Sequence, residues 1–395
     1  MLTARAAAAD DRPARAGLPR FEGLRSLLLQ AAIVFTVFAV MIFLVRTTLD
    51  NLETRGITTG FGFLFRPLNM PIAHSWLPFL PGVDTYGRAI VIGIINTLWI
   101  SLLVIVGSTA IGTFIGVARL SPNWLLSRSC GAYVEAIRNM PVLLQLVFWY
   151  QLLLQLPPPR SAPEPITGFF ISNRGIRYPA AELDTGSVLA LLTLAACIAA
   201  AVAITLRRQP AAGRSPGLRR LLLAALVLLP PAAVFLATGA DPQWSVPQQK
   251  GFGFHGGGTL APELTALALG LTIYASSFIA EIVRAGIEGV PKGQWEAAGS
   301  LGIRRSTTLR KVVLPQALRI IVPPLASEYL GIIKNSSLAI AVGYPDLVAI
   351  VNTMISDTGQ AVEGVAIIMA AFLVISMAMS ALMNWYNARV ALAER

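Results

Sequence analysis

Glu296-Ala297-Ala298-Gly299-Ser300-Leu301-Gly302, followed after nine residues by Val312-Val313-Leu314-Pro315, is a polar, partly basic stretch set between long apolar runs. It reads as a short surface helix that ends in a turn. Pro291 suits the first helical position, where its missing N–H is no loss. Gly302 stands where a helix closes with a left-handed residue. The paired Ala297 and Ala298 let another surface come close to the backbone. In a membrane protein, a short capped helix of this kind on the cytoplasmic side is a docking element for a soluble partner.

The flanking sequence establishes the membrane. The chain of 395 residues is 55% hydrophobic and 13% charged, with a mean hydropathy of +0.66, outside the range of soluble globular proteins. A membrane-spanning helix needs about 20 predominantly apolar residues. Eight runs qualify, at roughly 27–45, 89–117, 131–156, 188–206, 218–238, 262–285, 317–341 and 363–386. They are continuous instead of alternating, which argues against a β-barrel. The expected fold is an all-α polytopic membrane protein of about eight transmembrane helices. The first run is longer than a signal-peptide core and is followed by Arg46-Thr47-Thr48, so it is expected to be retained.

The net charge of +11 is a topology signal. With the N-terminus inside, cytoplasmic segments hold 21 Lys and Arg against 8 in the outside segments. That excess sets both termini in the cytoplasm and argues against nucleic-acid binding. Cys130 and Cys197 are too few for a disulfide framework. His74 and His255, both in expected outside loops, leave almost no ligands for a metal or haem in the membrane. No nucleophile–base pair is visible, so neither a catalytic residue nor a metal site is expected. Lys250, Lys292, Lys311 and Lys334 precede Gly, Gly, Val and Asn. The chain therefore lacks the Gly-Lys-Ser/Thr cradle of a P-loop ATPase. ATP-driven transport would place ATP and Mg²⁺ on a separate subunit, with no cofactor in this chain.

Residues 1–26 read as a cytoplasmic tail and 387–395 as a cytoplasmic C-terminus. The first helix and its outside loop cover 27–88; Phe61, Phe63, Phe65, Trp76 and Phe79 suggest that this loop lies at the membrane interface. A core in two parts, 89–156 and 262–386, contains the loop 286–316. Between the parts, 157–261 reads as an insertion with two extra transmembrane helices. It opens on Pro157-Pro158-Pro159, turns through the basic stretch from Arg207 to Arg220, and ends in a glycine-rich run from Gly251 to Gly258 that is expected to be a flexible linker.

The spacing of the opening stretch resembles the EAA loop of bacterial ABC-importer permeases: EAA, three residues, Gly, nine residues, a β-branched residue, any residue, Leu-Pro. Val312 takes the β-branched position. Over about 90–155 and 262–386 the chain resembles the polar amino-acid uptake permeases. The resemblance is carried by Gly93 to Leu98, Ala118-Arg119-Leu120-Ser121, Tyr133 to Pro141, Tyr274 to Ile287 and Lys334-Asn335-Ser336-Ser337-Leu338. The two-helix insertion and Gly343-Tyr344-Pro345-Asp346-Leu347 look like the Aap/Bzt general L-amino-acid permeases. Met140 stands where relatives have Thr. The resemblance implies a type I ABC importer permease core in the bacterial inner membrane, moving amino acids by alternating access. It implies an ABC ATPase dimer, a second permease (homologous and non-identical), and a periplasmic amino-acid-binding protein as partners, besides the amino-acid substrate. Trp295, Glu296, Ala297, Ala298, Gly302, Leu314 and Pro315 would then form the coupling segment. Arg304, Arg305, Arg310 and Lys311 would meet membrane lipid headgroups, the ATPase, or both.

Ionisable groups in a span are costly and face a cavity or a partner. Glu281 and Arg284, three apart, share a helix face, continued by Ser277 and Tyr274. That stripe offers an acid for an α-ammonium group and donors for a carboxylate, unless Glu281 and Arg284 simply neutralise each other. Glu135 and Arg138 repeat the spacing, with the same ambiguity. Asn96 and Thr97 either line a cavity or cross-link helices. Lys334 either meets substrate or the binding protein, or snorkels outward. Pro323-Pro324 predicts a kink. A secondary transporter would show repeated halves, and beyond the short Glu-x-x-Arg echo no convincing repeat is present.

Overall fold

The computed structural model describes residues 20–54, 59–75, 77–182, 184–206, 216–251 and 253–390. Most of the expected N-terminal tail, Trp76, the basic turn at 207–215, Phe252 and the last five residues of the expected C-terminal segment lie outside the described residues. In chain order the elements begin with helices α1 (Arg20–Thr54), α2 (Tyr86–Ala118), α3 (Trp124–Arg138) and α4 (Val142–Leu154). Strands β1 (Phe170–Ser172), β2 (Gly175–Tyr178) and β3 (Ala180–Glu182) precede α5 (Thr185–Leu206) and α6 (Pro216–Ala237). Strands β4 (Gln243–Ser245), β5 (Gln248–Lys250), β6 (Gly253–His255) and β7 (Gly258–Leu260) follow. The rest is helical: α7 (Pro262–Glu288), α8 (Lys292–Ser300), α9 (Arg305–Thr308), α10 (Leu314–Asn335), α11 (Leu347–Thr358) and α12 (Ala361–Val390).

The central pair is α2 with α7, and small residues set its closeness. Without a hydrophobic drive between helices in lipid, association depends on backbone approach and van der Waals contact. Gly112 and Gly116 of α2 lie against Ile279, Ala280 and Val283, and a Cβ on Gly116 would stand 2.6 Å from the Ala280 carbonyl oxygen. Around this pair the core forms three levels. One joins Tyr86, Ile90, Leu347 and Met354; the next joins Ile100, Val104, Leu146, Leu271 and Ile332. The third joins Ile279, Val283, Ile287, Val313, Ala317 and Ile321. By contrast α1 buries none of its apolar window.

Among the described residues, five helices are long and apolar enough to cross a membrane, and up to seven spans result if each of two bent pairs counts as one. The helical class agrees with expectation, with five to seven candidate spans among the described residues where about eight were expected. The run 131–156 is broken, because α3 and α4 meet at 100°. Pro141 has no N–H and disfavours a helical residue before it. The run 317–341 stays helical, with the next break just beyond it, between Val342 and Leu347. After α10 the chain tightens into a 3₁₀ helix, Ser336–Val342, which stops at left-handed Gly343. Asp346 then caps α11 by accepting from the Ala349 N–H at 2.8 Å, and the two parts diverge by 52°. Helix α11 falls in what was expected to be an outside loop. The α-helix α10 runs through Pro323-Pro324 without interruption. Helix α6 runs over Pro216–Ala237, and its apolar part includes Leu221–Ala237.

The segment 157–261 is not purely helical. Three antiparallel strands stand in the order β1-β2-β7, with β3 paired to β4 and β5 to β6. The glycine-rich run is thus built into strands, with Gln249 opposite Phe254 and Ile176 opposite Leu260. Strands of three or four residues leave too little alternation to read.

Candidate functional site

The segment expected to couple to a motor packs on the third core level through Trp295. Pro291 is the residue just before α8, not its first helical position. The helix closes as a Schellman motif: Gly302 N–H donates to Gly299 O at 2.9 Å and Ile303 N–H to Ala298 O at 3.1 Å. Gly302 has φ +68°, as that closure requires. Ala298 is buried at 4% exposure, Trp295 packs against the cluster of Val283, Ile287 and Val313, and Glu296 and Ala297 are exposed. One face of α8 is therefore anchored and the other is open. The link to α10 is a π-helical turn, Leu309–Val313, followed by exposed Leu314 and Pro315. Such turns occur disproportionately at functional sites.

Beside this segment lies a chain of ion pairs. Glu281 accepts from Arg119 of α2 at 2.5 Å and from Arg284 at 2.5 Å, and Arg284 also meets Glu288 at 2.5 Å. Glu281 and Arg284 pair as one of the two sequence readings allows, and Arg119, given no such role from the sequence, ties them to α2. Ser277 is fully buried, its hydroxyl donating to the Tyr274 carbonyl at 2.7 Å. The stripe from Tyr274 to Arg284 is thereby divided: its lower half is occupied by protein partners.

Tyr274 belongs to a different cluster, at the α3–α4 break. The Tyr133 hydroxyl lies 2.9 Å from the Ser276 hydroxyl and pins α3 to α7. At the end of α3, the Arg138 guanidinium stands 5.0 Å from the centre of the Phe278 ring, whose ring is 4.9 Å from that of Tyr274. Glu328 of α10 is in electrostatic reach of both Arg138 and Tyr274. Tyr329 next to it shares a 2.9 Å hydrogen bond with Thr109 of α2. At the break between α3 and α4, the exposed Arg138 guanidinium thus stands over one of two paired aromatic rings, in electrostatic reach of the Glu328 carboxylate. Interrupted spans commonly mark transport sites. The sequence reading missed Glu328, although an acid inside the apolar run 317–341 was a visible signal.

Asn96 and Thr97 are fully buried. Asn96 donates to the carbonyls of His74 at 2.9 Å and Pro345 at 2.8 Å, and Thr97 accepts from Leu347 N–H at 3.1 Å. They act as ties between α2 and the turn before α11. Lys334 is exposed at the last turn of α10, away from these ties. No cluster of three or more His, Cys, Asp or Glu that could hold a metal is present among the described residues.

The sequence has known relatives. Residues 108–392 match the family described as binding-protein-dependent transport system inner membrane component. The chain belongs to that family. It is 46% identical to the YhdX protein of Escherichia coli K12, named as an amino-acid ABC transporter permease, over 94% of this chain and 95% of that one. It is 42% identical to the general L-amino acid transport system permease protein AapQ of Rhizobium johnstonii, over 94% of this chain and 93% of that one. Only 6% of the chain lies outside the AapQ match, so the segment 157–261 is shared with it. A solved structure entitled an amino acid ABC transporter with histidines aligns with a TM-score of 0.46 at 23% identity, covering 77% of this chain and 95% of that one. The ABC permease resemblance read from the EAA spacing thus agrees with the family, and the chain is a multi-pass membrane component of a transport system.

Proposed function

We propose that this permease is the membrane subunit of an ATP-driven importer of L-amino acids in the bacterial inner membrane, with both termini cytoplasmic. A periplasmic binding protein delivers the amino acid. A separate ATPase dimer binds ATP and Mg²⁺, and its closure is carried through α8 to α7 and α10, so that the site opens to each side alternately. A second, homologous and non-identical permease supplies the other half of the pathway. The chain itself holds no cofactor and hydrolyses nothing.

The observation that carries this reading is the Arg138–Glu328 arrangement beside Tyr274 and Phe278, together with the names of the full-length relatives. An amino acid is a zwitterion. Its carboxylate suits a guanidinium, its ammonium suits a carboxylate or an aromatic face, and only a site with both recognises both. The anchored yet open α8 supports docking of the motor. Identifying the co-purified partners by mass spectrometry and reconstituting them with the chain tests the reading. Labelled L-amino acids should accumulate in vesicles only with the ATPase and ATP present. Accumulation by this chain alone, or uptake that survives ATP depletion and collapses with an ion gradient, would overturn it.

A further inference from the structure

We infer that the cleft beside the coupling helix is a binding site for an anionic phospholipid. The cleft is about 1180 Å³ in volume. Its wall is formed by the last turns of α2 and α7, the start of α3, and the facing sides of α8 and α9. The apolar part presents Phe114, Val117 and Leu126, which are 70%, 43% and 41% exposed, and Leu309 from the π turn. Lys292 and Arg305 also line the cleft, and both are exposed. The acid on that wall, Glu288, is held by Arg284 at 2.5 Å, so it does not cancel them. Trp295 also lines the cleft, with the Arg305 guanidinium 6.0 Å from its ring centre; tryptophan is enriched at the headgroup boundary.

An apolar wall from α2 and α3, an aromatic and two cations together match the tail and the headgroup of a lipid. In lipid the tail contact gives little selectivity, because acyl chains solvate any apolar surface alike. Selectivity comes from the cations. Two cations near an anionic headgroup favour it over a zwitterionic one by on the order of tenfold. The occupant would touch α2, α7, α8 and α9 together, the elements that join the motor side to the pathway.

The test uses the transporter purified with its native partners in nanodiscs. The probe is phosphatidylglycerol brominated along its acyl chains, compared with equally brominated phosphatidylcholine. Fluorescence quenching of Trp295 is isolated by subtracting the Trp295→Phe protein. Phosphatidylglycerol should quench Trp295 at roughly tenfold lower mole fraction than phosphatidylcholine. Lys292→Gln with Arg305→Gln should remove that difference while quenching of the other tryptophans stays unchanged. Equal quenching by the two lipids would mean unselective solvation and overturn the inference. No quenching of Trp295 would mean that a protein partner fills the cleft, and would overturn it equally.

Discussion

A single atom decides whether the central helices meet. Gly116 leaves no room for a Cβ beside Ala280, so Gly116→Leu must push α2 from α7 at a cost of about 1–3 kcal/mol. The amount of protease-resistant permease in membranes should fall accordingly; normal levels would mean that the pair packs otherwise. Glu328, half-buried on α10 in electrostatic reach of Arg138, makes the complementary case, a charge proposed to serve recognition. Glu328→Gln should lower uptake by roughly tenfold or more, the loss of one charge-assisted contact of about 1.5–3 kcal/mol, with insertion intact and partial rescue by Glu328→Asp. Transport equal to wild type would remove Glu328 from the pathway. Asn96 and Thr97 show why residue type alone was insufficient: a buried amide serves a cavity or a neighbouring backbone equally well, and here it holds the carbonyls of His74 and Pro345.

At the scale of elements, breaks and caps matter more than runs. The closure of α8 depends on Gly302 at positive φ and on its N–H. Gly302→Ala forces an L-residue into the left-handed region at about 1 kcal/mol and should weaken ATPase stimulation mildly. Gly302→Pro removes the hydrogen bond as well and should uncouple ATP hydrolysis from uptake while the protein still inserts. Full coupling in the proline variant would count against α8 as the lever. These stops were legible, since Gly302, Pro141 and the Gly343-Tyr344-Pro345-Asp346 turn all stand in the sequence. The break at Pro141 was passed over because continuous hydropathy on both sides outweighed one residue that cannot donate. The short strands of 157–261 had no comparable signal.

For the whole molecule, the inserted helices close on themselves. Pairing of Ala180 with Ser245 and Glu182 with Gln243 brings the ends of the α5–α6 hairpin together. Replacing 184–241 by a short glycine-containing turn should therefore leave the α2–α7–α10 bundle inserted and protease-resistant. Its collapse would show that the hairpin supports the core. The sequence by itself determined the membrane class, the helical architecture and the family to which the EAA spacing points. Hydropathy, the Lys and Arg asymmetry, and the EAA spacing are local quantities that survive without knowledge of neighbours. Only the tertiary structure decided which charges meet. Glu281 is taken by Arg119 from 162 positions away, and Glu328 is brought towards Arg138 by a helix that breaks. Pairing of that kind depends on distances between helices, which a linear pattern does not contain.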